Sequence, residues 1–343
     1  MINKIHFGKR IANYRKGLNL SQQDLADRLS ITAQPISKWE TGVAFPDIEL
    51  LLELSKLYGV SINELIEDHA ILSRISGCPF EVWNDIACYV PPMGSDPDWA
   101  QWERDMCNEK WIERNWMDAW DRPGGWADHG ESPSPLFERN RCSDLRIGKQ
   151  IADKGGIILE IGAGPGGGYV PYILQADPTA TIIVNDISRI VVHEWKQLLD
   201  RELDSPNLHF AAFDFCNIPF EDCSVDVVSD HGGIINCIGD QAAALREVYR
   251  VLKPGGILVS LNGFVTKEAI SSLPEKAKQK LIDSFPSIVD NLYEDTVMAG
   301  FRKIDSIVEG TWTTDEDESG VADLAKELGV TVKFTQYVRF CEK

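Results

Sequence analysis

The chain has 343 residues, 43% hydrophobic and 25% charged, and a formal charge of −19. That length predicts two or three domains, and no apolar run reaches the ~18 residues of a membrane span. The opening MINKIHFGKR lacks an apolar signal-peptide core, so a cytoplasmic chain is expected. The charge is unevenly spread: residues 1–40 carry Lys4, Lys9, Arg10, Arg15, Lys16, Arg28 and Lys38 against Asp24, Asp27 and Glu40, a net +4. A phosphate backbone is attracted to that end and repelled by the acidic remainder. The eight cysteines are scattered with no C-x-x-C pair and no zinc spacing, so free thiols and no metal are expected.

Five short helices are predicted in the first 68 residues. Apolar positions in 2–14 suit a helix that Gly17 ends. Ser21-x-x-Asp24 reads as a capping box for 22–29. Thr32 caps 33–40, with Gly42 as a left-handed stop. Pro46 and Asp47 open a helix through Tyr58, and Ser61 a short fifth. The stretches GKRIANYRKGLNLSQQDLADRL, ISKWETG and FPDIELLLELSKLYGVSINELI resemble the Cro/repressor-like (XRE-type) helix-turn-helix family across 6–66. The resemblance implies a third helix in the major groove and a DNA-bound homodimer. It points Ala33, Gln34, Ser37 and Lys38 at DNA and Gln22 at a phosphate. Gln34 suits adenine, and Lys38 suits guanine or phosphate. Ala33 departs from the usual polar residue and offers a methyl contact. The resemblance also implies an Arg10–Glu40 ion pair and a core Trp39. The competing reading is a domain of this fold that only dimerises.

The pattern changes at 156. GIILEIG is a short apolar run, as a buried parallel strand would be. Apolar strands recur at 181–185, 208–213, 225–229 and 257–261 with helical segments between, which predicts a doubly wound α/β sheet. The glycine loop LEIGAGPGGG fits two cofactors: Gly162, Gly164 and Gly167 match a dinucleotide loop, while Glu160 with Gly162, Gly164 and Gly166 matches a loop for S-adenosylmethionine (SAM). Asp186 ends the second strand and fits the ribose of either. Asp214-Phe215 ends the third strand, with an acceptor for an adenine amino group beside a ring to flank it. With SVDVVSDHGG at 224–233 and LREVYRVLKPGGILVSLN at 245–262, the stretch 145–262 resembles the class I SAM-dependent methyltransferases. The resemblance implies SAM held by Glu160, Gly162, Gly164, Gly166, Asp186, Asp214 and Phe215. It puts Asp230 and His231 near the methionine end as candidate catalytic residues. Strands at 301–309 and 331–341 complete a seven-stranded sheet, after a helix at 288–299 and with a turn at Lys253–Gly256. Thr311-Trp312 and the acidic 315–328 segment would then exit at the ligand face.

The expected organisation is a helix-turn-helix domain at 1–68, a Trp-rich linker or lid at 69–144, and a Rossmann-like methyltransferase domain at 145–343. DNA-base methylation is disfavoured: after strand four there is neither an Asn/Asp-Pro-Pro-aromatic motif nor a Pro-Cys nucleophile, and the catalytic half is acidic. A small-molecule acceptor is expected. His231 is either a general base or a histidine seated beside the cofactor. His129 reads as a loop residue, and His193 as solvated on a mid-helix face. Seven of ten tryptophans fall in 78–142 and form either a docking core or an aromatic wall for a flat or cationic acceptor. The expected function is methyl transfer coupled to transcription; the alternative is a regulator that senses SAM or a metabolite without turnover.

Overall fold

The computed structural model describes residues 4–66, 69–90, 97–108, 110–125, 135–203, 207–236, 240–285, 288–316 and 320–343. His129, Cys237 and Trp126 lie outside these residues. The chain opens with α1 (Lys4–Gly17), α2 (Gln22–Arg28), α3 (Ala33–Glu40), α4 (Ile48–Tyr58) and α5 (Ile62–Ile66). Their ends follow local chemistry. Ser21 Oγ accepts from the Asp24 amide at 3.1 Å, and the Ser21 amide donates to the Asp24 carboxylate at 2.8 Å, the reciprocal capping box. Asp47 caps α4 by accepting from the Leu50 amide at 2.9 Å. Thr32 makes no side-chain cap bond, so α3 depends on packing. Ile36 and Trp39 bury against Phe7, Ile11 and Leu25. Gly8 permits that approach, because a Cβ there would overlap the Trp39 carbonyl.

One expected ion pair is corrected. Glu40 pairs with Arg15, through Nε at 2.7 Å and Nη2 at 2.9 Å. Arg10 instead donates to the Leu65 carbonyl at 2.9 Å. The two arginines stand five positions apart on α1, and Arg15 lies on the turn that faces the end of α3.

The next stretch holds α6 (Ala70–Ile75), β1 (Glu81–Trp83), β2 (Ile86–Cys88), α7 (Pro97–Asn108), α8 (Trp111–Ala119) and α9 (Pro135–Lys154). Asn84 and Asp85 both take positive φ, 49° and 60°, as a two-residue hairpin turn requires. Then come β3 (Ile157–Ile161), α10 (Val170–Ala176), β4 (Thr181–Asp186), α11 (Arg189–Glu202), β5 (Leu208–Ala212), β6 (Val225–His231), α12 (Gln241–Val251) and β7 (Leu252–Val265). The chain closes with α13 (Lys267–Ser271), α14 (Glu275–Ser284), α15 (Leu292–Ala299), β8 (Lys303–Thr313), α16 (Gly320–Leu328) and β9 (Lys333–Glu342).

The strand order is β1-β2-β5-β4-β3-β6-β7-β9-β8. β2 through β7 run parallel; β9 is antiparallel to both β7 and β8. The seven expected strands are thus joined by the β1–β2 hairpin, which pairs with β5 and brings part of the Trp-rich stretch into the sheet. The expected Lys253–Gly256 turn is continuous with β7, beside a register shift opposite β6. Side chains alternate between two buried faces. Ile158, Ile182 and Val227 meet Ile147, Ile173 and Trp195 on one side. Leu159, Ile183 and Val228 meet Leu245 and Val248 on the other. Both faces being covered explains the near-continuous apolar strands. Trp312 stacks on Phe334 at 5.2 Å in a separate small core with Leu281 and Ala325.

Candidate active site

Strand order reverses between β3 and β6, since β3 leads leftward to β4 while β6 leads rightward to β7. In open parallel sheets ligands bind beyond the carboxyl ends of the strands at such a point. A cavity of about 470 Å³ lies there, within the usual range for small-molecule sites. Its wall brings together Gly162, Gly164 and Gly166 from the loop after β3, Asp186 and Ile187 after β4, and Asp214 and Phe215 after β5. His231, Gly232, Gly233 and Asn236 come from the end of β6, and Trp102 and Trp111 from α7 and α8.

The glycine loop is held from beneath. Gly162 and Gly164 take φ of +59° and +51°, which favours glycine. The Gly164 amide donates to Asp186 Oδ2 at 2.9 Å, and the Trp195 indole donates to the Gly164 carbonyl at 2.8 Å. Buried Asn185 donates to the Phe213 carbonyl at 3.0 Å, tying β4 to the turn after β5. Around Gly164 and Gly166 a Cβ would enter nearly open space, so a ligand can approach the main chain.

The acidic residues divide by burial. Asp186 lines the cavity and also accepts from the Ser188 amide at 2.8 Å. Burial pushes its pKa up to about 6, against the amides of Ser188, Gly164 and Ile187 that hold it down. Asp214 accepts from the Cys216 amide at 2.9 Å, which turns Phe215 onto the cavity wall. Glu160 is fully buried beneath the loop, where a Cβ on Gly168 would overlap its carboxylate. Ser229 donates to it, yet burial raises it to about 8. Asp230 is fully buried too. It accepts from Ser260 Oγ at 2.6 Å, Asn262 Nδ2 at 3.0 Å and the Ile234 amide at 2.9 Å. Its carboxylate shapes the 232–234 turn instead of facing the cavity.

His231 does face the cavity. Its Nε2 lies 3.2 Å from both carboxylate oxygens of Asp144 on α9. The Tyr169 ring meets it edge to face at 5.0 Å. Burial alone would lower its pKa, but the Asp144 carboxylate, helped by Glu160, raises it to about 9. His193, expected as solvated, packs its ring against Trp83 at 5.2 Å and meets Gln197 at 2.7 Å. Among the tryptophans, Trp116 and Trp120 pack together in the core, their centroids 4.0 Å apart.

In the helical domain Gln34 and Lys38 are exposed one turn apart on α3, with Ala33 and Ser37 half-buried beside them. Gln22 donates to Glu40 at 2.8 Å, and the Arg15 pair holds that carboxylate in turn. The sequence reading missed Ile187, Asn236 and Asp144. Ile187 adjoins Asp186, and adjacency alone could have found it.

Comparison with known proteins assigns the two halves. Residues 159–260 match the family model described as a methyltransferase domain, and residues 11–65 the one described as helix-turn-helix. The chain joins a helix-turn-helix segment to a methyltransferase domain. Over 69 residues the chain is 35% identical to the HTH-type transcriptional activator BcrR of Enterococcus faecalis, covering 20% of this chain and 34% of that protein. Over 126 residues it is 30% identical to demethylmenaquinone methyltransferase of Staphylococcus aureus, covering 36% of this chain and 51% of the relative. The chain thus spans a third to about half the length of these relatives. Phosphoethanolamine N-methyltransferase 2 of Haemonchus contortus, solved with SAM, overlaps 70% of this chain and 57% of its own at 19% identity and a TM-score of 0.47. Among the described residues, no helix is long and apolar enough to cross a membrane.

Proposed function

We propose that this chain is a SAM-dependent methyltransferase of a small molecule, and that its helical domain binds DNA as part of a homodimer. The convergence of the glycine loop, Asp186 and Asp214-Phe215 on one cavity carries the reading. The donor set suits SAM. Asp186 would accept the ribose hydroxyls, Asp214 would accept from the adenine amino group, and Ile187 and Phe215 would flank the purine. The open main chain at Gly164 and Gly166 would receive the amino-acid end. Bound SAM supplies a methyl group already activated by a sulfonium, so the protein's work is alignment and proton handling. Asp230 builds the turn that seats His231, and Glu160 supports the loop from below. The acidic bulk of the chain favours a small acceptor over a nucleic acid.

Joining the two activities in one cytoplasmic chain couples methylation to transcription if ligand binding favours one domain arrangement. Calorimetric titration with SAM, beside Asp186→Ala, tests the site. Binding by wild type that weakens in the variant supports it; equal binding by both sinks the assignment. SAM binding with no S-adenosylhomocysteine released on a broad acceptor screen would make the domain a sensor.

A further inference from the structure

Resting on that methyl-transfer reading, we propose that Asp144 is a positioning residue that makes His231 the proton acceptor for a phenolic hydroxyl acceptor. Asp144 reaches the site from α9, 87 positions before His231, and is 4% exposed. A carboxylate that deeply buried requires a partner, and both its oxygens sit 3.2 Å from His231 Nε2. Tyr169 packs edge-on against the same ring. The imidazole is therefore fixed by two elements while it lines the cavity. With Nε2 committed to Asp144, Nδ1 is the nitrogen that exchanges a proton with a ligand.

The other titratable groups around His231 are Glu160 on β3, the Tyr169 hydroxyl at the head of α10, and Asp230 on its own strand. Glu309 on β8 lies farther out and is paired with Arg146. The charge balance favours an imidazolium, with a pKa of about 9. A phenol titrates at about 10, as tyrosine does, so proton transfer between the two is nearly balanced. An aromatic amine attacks through a lone pair it already has and loses its proton afterwards. A thiol ionises at about 8.5 without help. Neither needs a seated base, whereas a phenol does. The cavity that His231 lines is also walled by Trp102 and Trp111, rings that suit a flat aromatic acceptor.

In the step, the phenol oxygen forms the O–C bond to the methyl group. The S–C bond breaks with its electron pair left on sulfur, and the hydroxyl proton passes to Nδ1 of His231. The products are an aryl methyl ether, S-adenosylhomocysteine and an imidazolium held by Asp144.

The test uses SAM labelled with ¹³C at the transferred methyl. Wild type is incubated with simple phenols, anilines, thiophenols and aryl carboxylates, together with a deproteinised bacterial extract. NMR of the products reads which atom carries the label. Label on phenolic oxygen is expected, with a rate that climbs as pH rises toward 9. Asp144→Asn should keep SAM affinity by calorimetry, lower the rate roughly 100-fold and move the rising limb to lower pH. Asp144→Glu should recover part of the loss. If Asp144→Asn does not fold, His231→Gln should abolish the labelled ether while still binding SAM. Label on nitrogen, sulfur, carbon or carboxylate overturns the proposal, as does an Asp144→Asn pH profile that overlays wild type. No transferred label from protein that binds SAM overturns it as well and leaves a sensor. Failure to bind SAM at all removes the methyl-transfer reading itself, and this role with it.

Discussion

The Trp195 indole donates to the Gly164 carbonyl at 2.8 Å, and the same ring fills the space where a side chain on Gly167 would project. α11 thus holds the glycine loop at two points. Gly167 also sits at φ +74°, where a Cβ adds strain. Gly167→Ala should therefore destabilise the domain by about 1–3 kcal/mol and weaken SAM binding. Gly166 is a contrast: it lines the cavity, and a Cβ there meets nothing within 4 Å. Gly166→Ala should keep its melting temperature and still lose SAM affinity. Thermal melts beside calorimetry separate the two. Wild-type affinity in Gly166→Ala would mean the loop does not contact the ligand.

Asp186 should make SAM binding depend on pH. Burial raises its pKa to about 6, and the ribose hydroxyls need the ionised carboxylate as acceptor. Affinity should be level from pH 7 to 8 and fall by about tenfold per pH unit below 6. In Asp186→Asn the affinity should be weaker at pH 7, with that limb flattened. Titrations at pH 5, 6 and 7.5 check this, and a wild-type affinity constant down to pH 5 would remove Asp186 from the contact.

These two sites also show what sequence could reveal. The place of Asp186 and Asp214 on the cavity wall was legible because strand ends follow apolar runs that mark themselves. The starts of α2 and α4 and the end of α3 were legible because the caps Ser21 and Asp47 and the stop at Gly42 act within a few residues. The β1–β2 hairpin was not, since three-residue strands carry no measurable period. Nor was Arg15 distinguishable from Arg10, because the approach of α1 to α3 at Gly8 decides which one reaches Glu40. Asp144 carries no local signal at all; only packing of α9 on the sheet brings it to His231.

Glu160 should make stability fall with rising pH. Its folded pKa, about 8, lies above the ~4.3 of an unfolded glutamate. Between those values the folded state keeps a proton that the unfolded chain has released, so stability drops as pH rises through that window. Glu160→Gln removes this contribution. Urea midpoints at pH 5 and pH 8 should differ more for wild type than for the variant. Equal differences would mean that Glu160 is already ionised at pH 5.

Glu40 ties three helices together, bonding Arg15 twice and Gln22 once. Both charged partners are about nine-tenths covered, so removing one leaves the other poorly solvated. Glu40→Ala should cost the helical domain about 3 kcal/mol. SAM should continue to stabilise the methyltransferase domain as before. Calorimetric unfolding with and without SAM reads both, and loss of the SAM-dependent shift would mean that SAM binding depends on an intact helical domain.

The exposed face of α3 gives the sharpest test of DNA binding. Gln34 and Lys38 stand one turn apart and outward, while Ile36 and Trp39 anchor the opposite side. A glutamine offers adenine a paired donor and acceptor, so Gln34→Ala should cost about 1–3 kcal/mol on the operator and relax preference at one base. Lys38→Ala, if the lysine contacts phosphate, should weaken every sequence alike and reduce the salt slope by about 1. The net −19 of the chain should flatten the salt dependence of affinity, since screening relieves repulsion as well as attraction. Genomic selection followed by anisotropy titrations at several salt concentrations measures all three effects. If Gln34→Ala holds the selected operator as tightly as wild type, α3 does not read bases, and the helical domain serves dimerisation.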